Sequence, residues 1–162
     1  MTRKIVRSIL FCATLLVSLA ALATAQDDRN CSTPGLAGDW GYTSTGAFIF
    51  PTGAVPFAFV GRLTFDAAGN FSGSQNSSTG GLVSQDTIKG TTTVNPDCTG
   101  TLNVNVYTQS GTLFSTSVLV FVIVDNGREV DGIFTSQMLA NGTNGPTVAT
   151  LSAKRQFPKL GQ

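Results

Sequence analysis

Short, regularly spaced turn clusters divide the chain between residues 51 and 146. Each cluster is rich in Gly, Pro, Asn, Asp or Ser, which favour tight turns, and the stretches between them are rich in Val, Ile, Phe, Leu and Thr. The clusters span residues 51–56, 66–70, 79–81, 95–100, 109–111, 125–128 and 141–146. Seven turns separate eight strands, and this spacing is typical of an all-β sandwich or barrel.

The predicted strands are short enough for each to pair with the next. They cover residues 39–50, 55–65, 71–77, 82–94, 101–109, 112–124, 129–139 and 148–157. No helical period follows the N-terminal segment, where residues 27–36 have room for one 3₁₀ turn. We predict an eight-stranded antiparallel up-and-down β-barrel in which the last strand pairs with the first, because closure leaves no exposed edge. A β-sandwich is the alternative.

The N-terminus has the three parts of a secretory signal peptide. Arg3, Lys4 and Arg7 form a basic region, residues 9–22 are apolar, and Ala25 ends a small-residue cleavage site. We therefore predict a signal peptide at 1–25, an N-terminal segment at 26–36, one barrel domain at 37–158 and a tail at 159–162. The expected location is secreted or periplasmic, with an uncleaved anchor as the alternative.

Two cysteines remain once the signal peptide is removed, Cys31 and Cys98. A pair of cysteines in an exported protein favours a disulfide, and two independent thiols are the alternative. The sequence contains no histidine. Two thiols alone are a poor ligand set, so no metal and no cofactor are expected.

Charge and strand patterning limit the partners. The ten basic residues include the three of the signal, so the mature chain has seven basic against nine acidic residues, a net charge of 7 − 9 = −2. Nothing in this balance favours nucleic acid. The predicted outer faces carry Gln, Thr, Lys and Asn, where a membrane barrel has an apolar band. We expect a monomer without stable membrane insertion.

Alternation within the strands assigns an inward face, because successive side chains point to opposite sides of a sheet. Near the end where the first and second strands connect, this face is aromatic with a few polar groups, which is typical of a small-molecule pocket. The candidate ligand-binding residues are Tyr42, Phe57, Phe59, Gln75, Ser84, Asp86, Phe134, Ser136 and Met138. Asp86 is the only acid placed inside, and a register error that turns it toward Lys89 is the alternative.

The first strand carries a short motif at its start. Gly38-Asp39-Trp40 resembles the Gly-x-Trp signature of lipocalins and other calycins, and the chain is similar to small secreted lipocalin-like proteins of soil bacteria. The resemblance implies that Trp40 packs at the closed end beneath a basic side chain of the last strand. Arg155 is the matching residue, or Lys154 if the register differs by one. The other lipocalin motifs and the long helix after the barrel are absent, so the resemblance covers architecture only.

The sequence supports three functions of different classes. The first is a secreted barrel that binds a small apolar or amphipathic ligand at its open end. The second is a structural or interaction module whose interior is filled by side chains, and the third is a cyclase- or isomerase-like enzyme that uses Asp86. No serine follows a glycine at the spacing of a nucleophile elbow, so no catalytic residue is assigned and enzymatic activity is not expected.

Overall fold

Eight antiparallel strands form a closed barrel in the computed structural model, which describes residues 31–157. The predicted signal peptide and C-terminal tail lie outside these residues. The strands are β1 (Gly38–Phe50), β2 (Gly53–Phe65), β3 (Asn70–Thr79), β4 (Leu82–Val94), β5 (Thr99–Thr108), β6 (Leu113–Val124), β7 (Glu129–Leu139) and β8 (Thr147–Arg155). Two 3₁₀ helices, Thr33–Leu36 and Asp125–Gly127, complete the described chain.

Each strand pairs with its neighbour in sequence, and β8 pairs with β1 to close the barrel. This confirms the predicted up-and-down barrel, and the sandwich alternative is wrong. The strand bounds agree closely with those expected from the turn clusters, because Gly and Asn at positive φ end the strands where they were expected. No helix in residues 31–157 is long and apolar enough to cross a membrane.

The two ends of the barrel differ in construction. At the closed end lie the β2–β3, β4–β5 and β6–β7 turns together with the N-terminal segment. The predicted disulfide is present there and joins Cys31, just before the first 3₁₀ helix, to Cys98 in the β4–β5 turn. At the open end lie the β1–β2, β3–β4, β5–β6 and β7–β8 connections.

The first 3₁₀ helix forms the floor of the closed end. Ser32 accepts a hydrogen bond from the Gly35 backbone N–H (3.2 Å) and so caps the helix, and Pro34 fits its first turn. Leu36 at its end is 3% exposed, and its carbonyl accepts a hydrogen bond from the Trp40 indole N–H (2.8 Å). The helix therefore covers the base of the core and is itself held by the first strand.

A β-bulge in β7 overturns part of the inward face expected from alternation. Val118 of β6 pairs with Ser136, whereas the next residue, Leu119, pairs with Phe134, so β7 carries one extra residue at this point. The extra residue reverses the inside and outside positions beyond it. The predicted inward orientation of Ser136 and Met138 is wrong: both are exposed.

Candidate functional site

A cavity of about 740 Å³ lies in the barrel interior and reaches the open end. Leu63, Leu102 and Leu119 are among the side chains at its deep end, and all three are buried. Leu82 and Phe114, at the neighbouring β3–β4 and β5–β6 hairpins of the open end, are among those at its mouth. An eight-stranded barrel is wide enough to be filled by side chains or to hold one small ligand, and this interior leaves room for the second.

Four phenylalanines stack along the β1–β2 side of the barrel. Phe57 lies at their centre, stacked on Phe59 with ring centroids 4.4 Å apart and 4.8 Å from the ring of Phe48. Its edge meets Phe134 of β7 at 6.4 Å. Phe48, Phe59 and Phe134 reach the cavity, whereas Phe57 packs behind them. Offset and edge-on contacts of this kind hold the rings in defined positions.

A polar network faces these rings from β3 and β4. The amide of Gln75 donates to Asp86 Oδ2 (3.2 Å), and the hydroxyl of Ser77 donates to the same oxygen (3.1 Å). Ser84 lies 2.6 Å from Ser77 and 3.4 Å from both carboxylate oxygens. Adjacent pairing in the sheet, Gln75 with Asp86 and Ser77 with Ser84, brings these groups together. Asp86 therefore points inward and is held by neutral donors.

Tyr42 of β1 extends the network along the barrel wall, over Gly61 of β2 to Gln75 of β3. Its hydroxyl donates to Gln75 Oε1 (2.7 Å), which fixes the Gln75 amide so that its N–H₂ faces Asp86. Burial, followed by the nearby negative charge of Asp86, raises the pKa of Tyr42 far above its usual range. Gly61 makes space for the ring, since a Cβ there would lie 2.7 Å from Tyr42. Tyr42 is a neutral donor at any physiological pH.

The β6 and β7 side of the cavity is lined by small hydroxyls and an amide. Ser115 and Ser117 of β6 are buried and reach the cavity, as does Gln137 of β7. The Gln137 side-chain carbonyl accepts a hydrogen bond from the Thr147 hydroxyl (3.1 Å), which holds the amide in place. The polar groups on this side of the cavity are uncharged, and they lie among the apolar side chains of Phe114, Leu119 and Phe134.

Six of the nine candidate residues from the sequence line the cavity: Tyr42, Phe59, Gln75, Ser84, Asp86 and Phe134. Phe57 is buried behind the aromatic side, and Ser136 and Met138 point outward beyond the bulge. Whether the six bind a ligand stays a prediction.

Sequence reasoning missed four polar residues of the interior, Ser77, Ser115, Ser117 and Gln137. Continuing the alternation of β3 by one step past Gln75 would have found Ser77. In β6 the exposed positions are all apolar and the buried ones include two serines, so the usual apolar-inside pattern is reversed near the mouth. No local signal marks Gln137, because its orientation depends on the bulge.

Trp40 and Arg155 meet at the closed end, away from the cavity. They are paired across β1 and β8, and the guanidinium lies 4.6 Å from the centroid of the indole ring. Arg155 also donates to the carbonyls of Ala37 (2.7 Å) and Gly35 (2.6 Å). Burial lowers the pKa of Arg155, but arginine remains charged at physiological pH. The pair ties the last strand to the N-terminal segment.

The cavity has one charged group. Asp86 is the only acidic or basic side chain among the residues that line it. Within residues 31–157, no group of three or more His, Cys, Asp or Glu side chains is arranged to hold a metal ion. The arrangement is chemically suited to binding through apolar contact and hydrogen bonds.

No family model matches the chain, and no curated protein matches it in sequence. Solved β-barrel structures are similar to it in fold. EF1p2_mFAP2b bound to DFHBI covers 82% of this chain and 100% of its own, at a TM-score of 0.49 and 14% identity. The redesigned barrel mFAP0, also bound to DFHBI, covers 74% of this chain and 98% of its own, at a TM-score of 0.47 and 15% identity. A de novo designed fluorescence-activating barrel covers 74% of this chain and 93% of its own, at a TM-score of 0.45 and 10% identity.

Proposed function

We propose that this chain is a secreted, lipocalin-like barrel that binds a small apolar or amphipathic molecule in the cavity at its open end. The observation that carries the proposal is the cavity of about 740 Å³, closed at one end and open at the other. Its volume lies within the range of about 300–1,000 Å³ that is usual for small-molecule sites. More than half of the residues that line it are aromatic or aliphatic, and hydrogen bonds hold the polar groups of Tyr42, Gln75 and Asp86 in fixed positions.

A cavity-filling substitution tests the proposal. Val106 lines the cavity, so Val106→Trp should abolish or strongly weaken saturable binding of the neutral dye Nile red. Val120→Trp makes the same change on the outer face, where Val120 is 42% exposed, and should leave dye binding unchanged. Circular dichroism and thermal unfolding verify that both variants fold.

The outcomes distinguish binding in the cavity from non-specific binding of the dye to the protein surface. Saturable binding to the wild type and to Val120→Trp, but not to Val106→Trp, supports the proposal. Equal binding by all three proteins, or no saturable binding to the wild type, would refute it. Native mass spectrometry of the exported protein adds a direct search for a retained small molecule.

Secretion is a further part of the proposal. The N-terminal basic and apolar regions support it, and so does the Cys31–Cys98 disulfide, because disulfides persist in oxidising compartments. An intact mass equal to that of the chain from Gln26 onward, less two hydrogen atoms, would support both export and the Cys31–Cys98 disulfide. A mass that retains the first 25 residues would contradict the cleavage site.

A further inference from the structure

The charge of the cavity restricts the ligands that it accepts. Asp86 is its one charged side chain, and neither Lys nor Arg occurs among the residues that line it. None of the three ion pairs in residues 31–157 includes Asp86. The interior therefore presents a negative charge without a counter-ion from the described protein.

The hydrogen bonds of Asp86 leave acceptor capacity on one side of the carboxylate. Oδ2 accepts from Gln75 and Ser77, whereas Oδ1 has only the long 3.4 Å contact with Ser84. An ionised carboxylate accepts only and has about four lone-pair sites. Oδ1 is therefore the acceptor that remains for a donor on a ligand.

The surrounding donors hold this carboxylate in place. Ser77 has one hydroxyl hydrogen, so when it donates to Asp86 the 2.6 Å contact requires Ser84 to donate to Ser77. Tyr42 donates to Gln75, and Gln75 donates to Asp86. Two chains of neutral donors therefore end on the Asp86 carboxylate and orient it toward the cavity. Because the carboxylate is already oriented, a ligand can bind it with little rearrangement of the site.

We propose that the ligand of this cavity is a cationic amphiphile, with a protonated amine on Asp86 and an apolar body against the Phe48, Phe59 and Phe134 rings. This inference rests on the proposed ligand-binding function and names its ligand class. An ammonium group supplies both the missing positive charge and the missing donor. A fatty-acid carboxylate would instead place a second negative charge beside Asp86 with no basic residue to compensate.

A matched series of dodecyl compounds tests the inference. Dodecylamine, dodecanol and dodecanoate share one apolar chain and differ only in the head group. Each is titrated against bound Nile red at neutral pH, at concentrations below those at which it forms micelles or separates from solution. We expect dodecylamine to bind at least about tenfold more tightly than dodecanol, because both head groups can donate to Asp86 but only the ammonium adds an opposite charge. Dodecanoate should bind most weakly.

Asp86→Asn and Asp131→Asn form the matched pair of variants. Both remove one negative charge, but Asp131 is exposed on the outer face of β7. Asp86→Asn should reduce the preference for amine over alcohol to about threefold or less, while Asp131→Asn should retain it. Because a direct pair in a partly buried site is screened less than surface charges, the preference should decline only modestly with ionic strength.

The dodecyl series distinguishes failure of this inference from failure of the proposed function. Equal affinity for amine and alcohol, tighter binding of dodecanoate, or equal loss of preference in both variants would overturn the cationic ligand while retaining a binding barrel. Lack of saturable binding by every compound and by Nile red would overturn both. Thermal unfolding of Asp86→Asn verifies that a lost preference reflects the site and not the fold.

Discussion

The closed and open ends of this barrel are built from different kinds of residue. Apart from Asp86, every charged residue in positions 31–157 lies in a closed-end turn or in the half of a strand next to it. The open half has no other charged side chain and carries seven of the twelve exposed large apolar side chains of the described residues. These are Ile49, Phe50, Leu82, Val83, Phe114, Met138 and Val148.

The difference indicates that the two ends of the barrel have different roles. At the closed end, side chains form hydrogen bonds both within the turns and to the N-terminal segment. The Asp66 carboxylate accepts from the Ala68 and Asn70 backbone N–H groups of its own turn (2.9 and 2.8 Å), and the Thr33 hydroxyl accepts from the Val94 backbone N–H (3.1 Å). A hydrogen bond from the Asn70 side-chain amide, followed by the bond from the Asn70 backbone N–H, lowers the pKa of Asp66. At the open end, an uncharged rim leads into the cavity, which under the proposed function allows an apolar molecule to enter without desolvating charged groups. We therefore expect substitutions at one end to change stability and at the other to change binding.

The largest expected effect is at Trp40, which is 1% exposed. Trp40→Ala should lower the free energy of unfolding by about 3–5 kcal/mol, because it removes a large buried ring and leaves a cavity. Phe50→Ala, at the open end where Phe50 is 40% exposed, should cost less than about 1 kcal/mol. Trp40 is the single tryptophan, so urea unfolding is followed by circular dichroism. Equal losses in the two variants would contradict the comparison.

Arg155 should give the next largest effect. Arg155→Ala removes the stack on Trp40 and the hydrogen bonds to Ala37 and Gly35, at a cost of about 2 kcal/mol. Arg62→Ala is the matched control. Its exposed ion pair with Asp39 spans 3.8 Å, and its loss should cost less than about 1 kcal/mol. Denaturant unfolding measures both, and an Arg62 effect as large as that of Arg155 would contradict the assignment.

Tyr42 should make stability depend on pH in the alkaline range. Its pKa is raised in the folded barrel, so above the ordinary value of about 10 the unfolded chain ionises while the folded protein does not. This contribution to stability is complete below that pH and declines as pH rises through the folded pKa. Tyr42→Phe should lower the free energy of unfolding by about 1 kcal/mol at neutral pH. Above pH 10, the free energy of unfolding of this variant should decline less with pH than that of the wild type.

Spectroscopy gives an independent reading of the same group. The chain has two tyrosines, Tyr42 and Tyr107. In Tyr107→Phe, tyrosinate absorbance should remain absent above pH 10 until the barrel unfolds, because only Tyr42 contributes. Ionisation at about pH 10 in the folded variant would show that Tyr42 is not held as a neutral donor to Gln75.

The barrel was predictable from local chemistry, whereas part of its interior was not. Turn residues specify where each strand ends, and short connections leave neighbouring strands little choice of partner. Period-two alternation then placed Gln75 and Asp86 on the inner face, since β3 and β4 pair there without irregularity. The same rule failed in β7, because the extra residue near Thr135 alters pairing without any Gly or Pro to mark it.

Strand β6 shows a second limit of sequence patterning. Residues 118–124 are continuously apolar, so period-two alternation assigns neither an inner nor an outer face to this part of the strand. The structure nevertheless places Ser115 and Ser117 on the inner face, where both are buried beside the cavity. Where an interior is not filled, hydrophobicity ceases to distinguish inside from outside.

The smallest expected effect separates binding from stability at the rim. Val83 lines the mouth and is 77% exposed, whereas Val60 is 54% exposed on the outer wall. Val83→Ser and Val60→Ser should both change the free energy of unfolding by less than about 0.5 kcal/mol. Only Val83→Ser should weaken dodecylamine binding, by about threefold, because partial loss of apolar contact is worth ~0.6 kcal/mol. Equal affinities in the two variants would show that ligands bypass the β3–β4 hairpin, and a large stability loss in Val83→Ser would show that the open end also supports the fold.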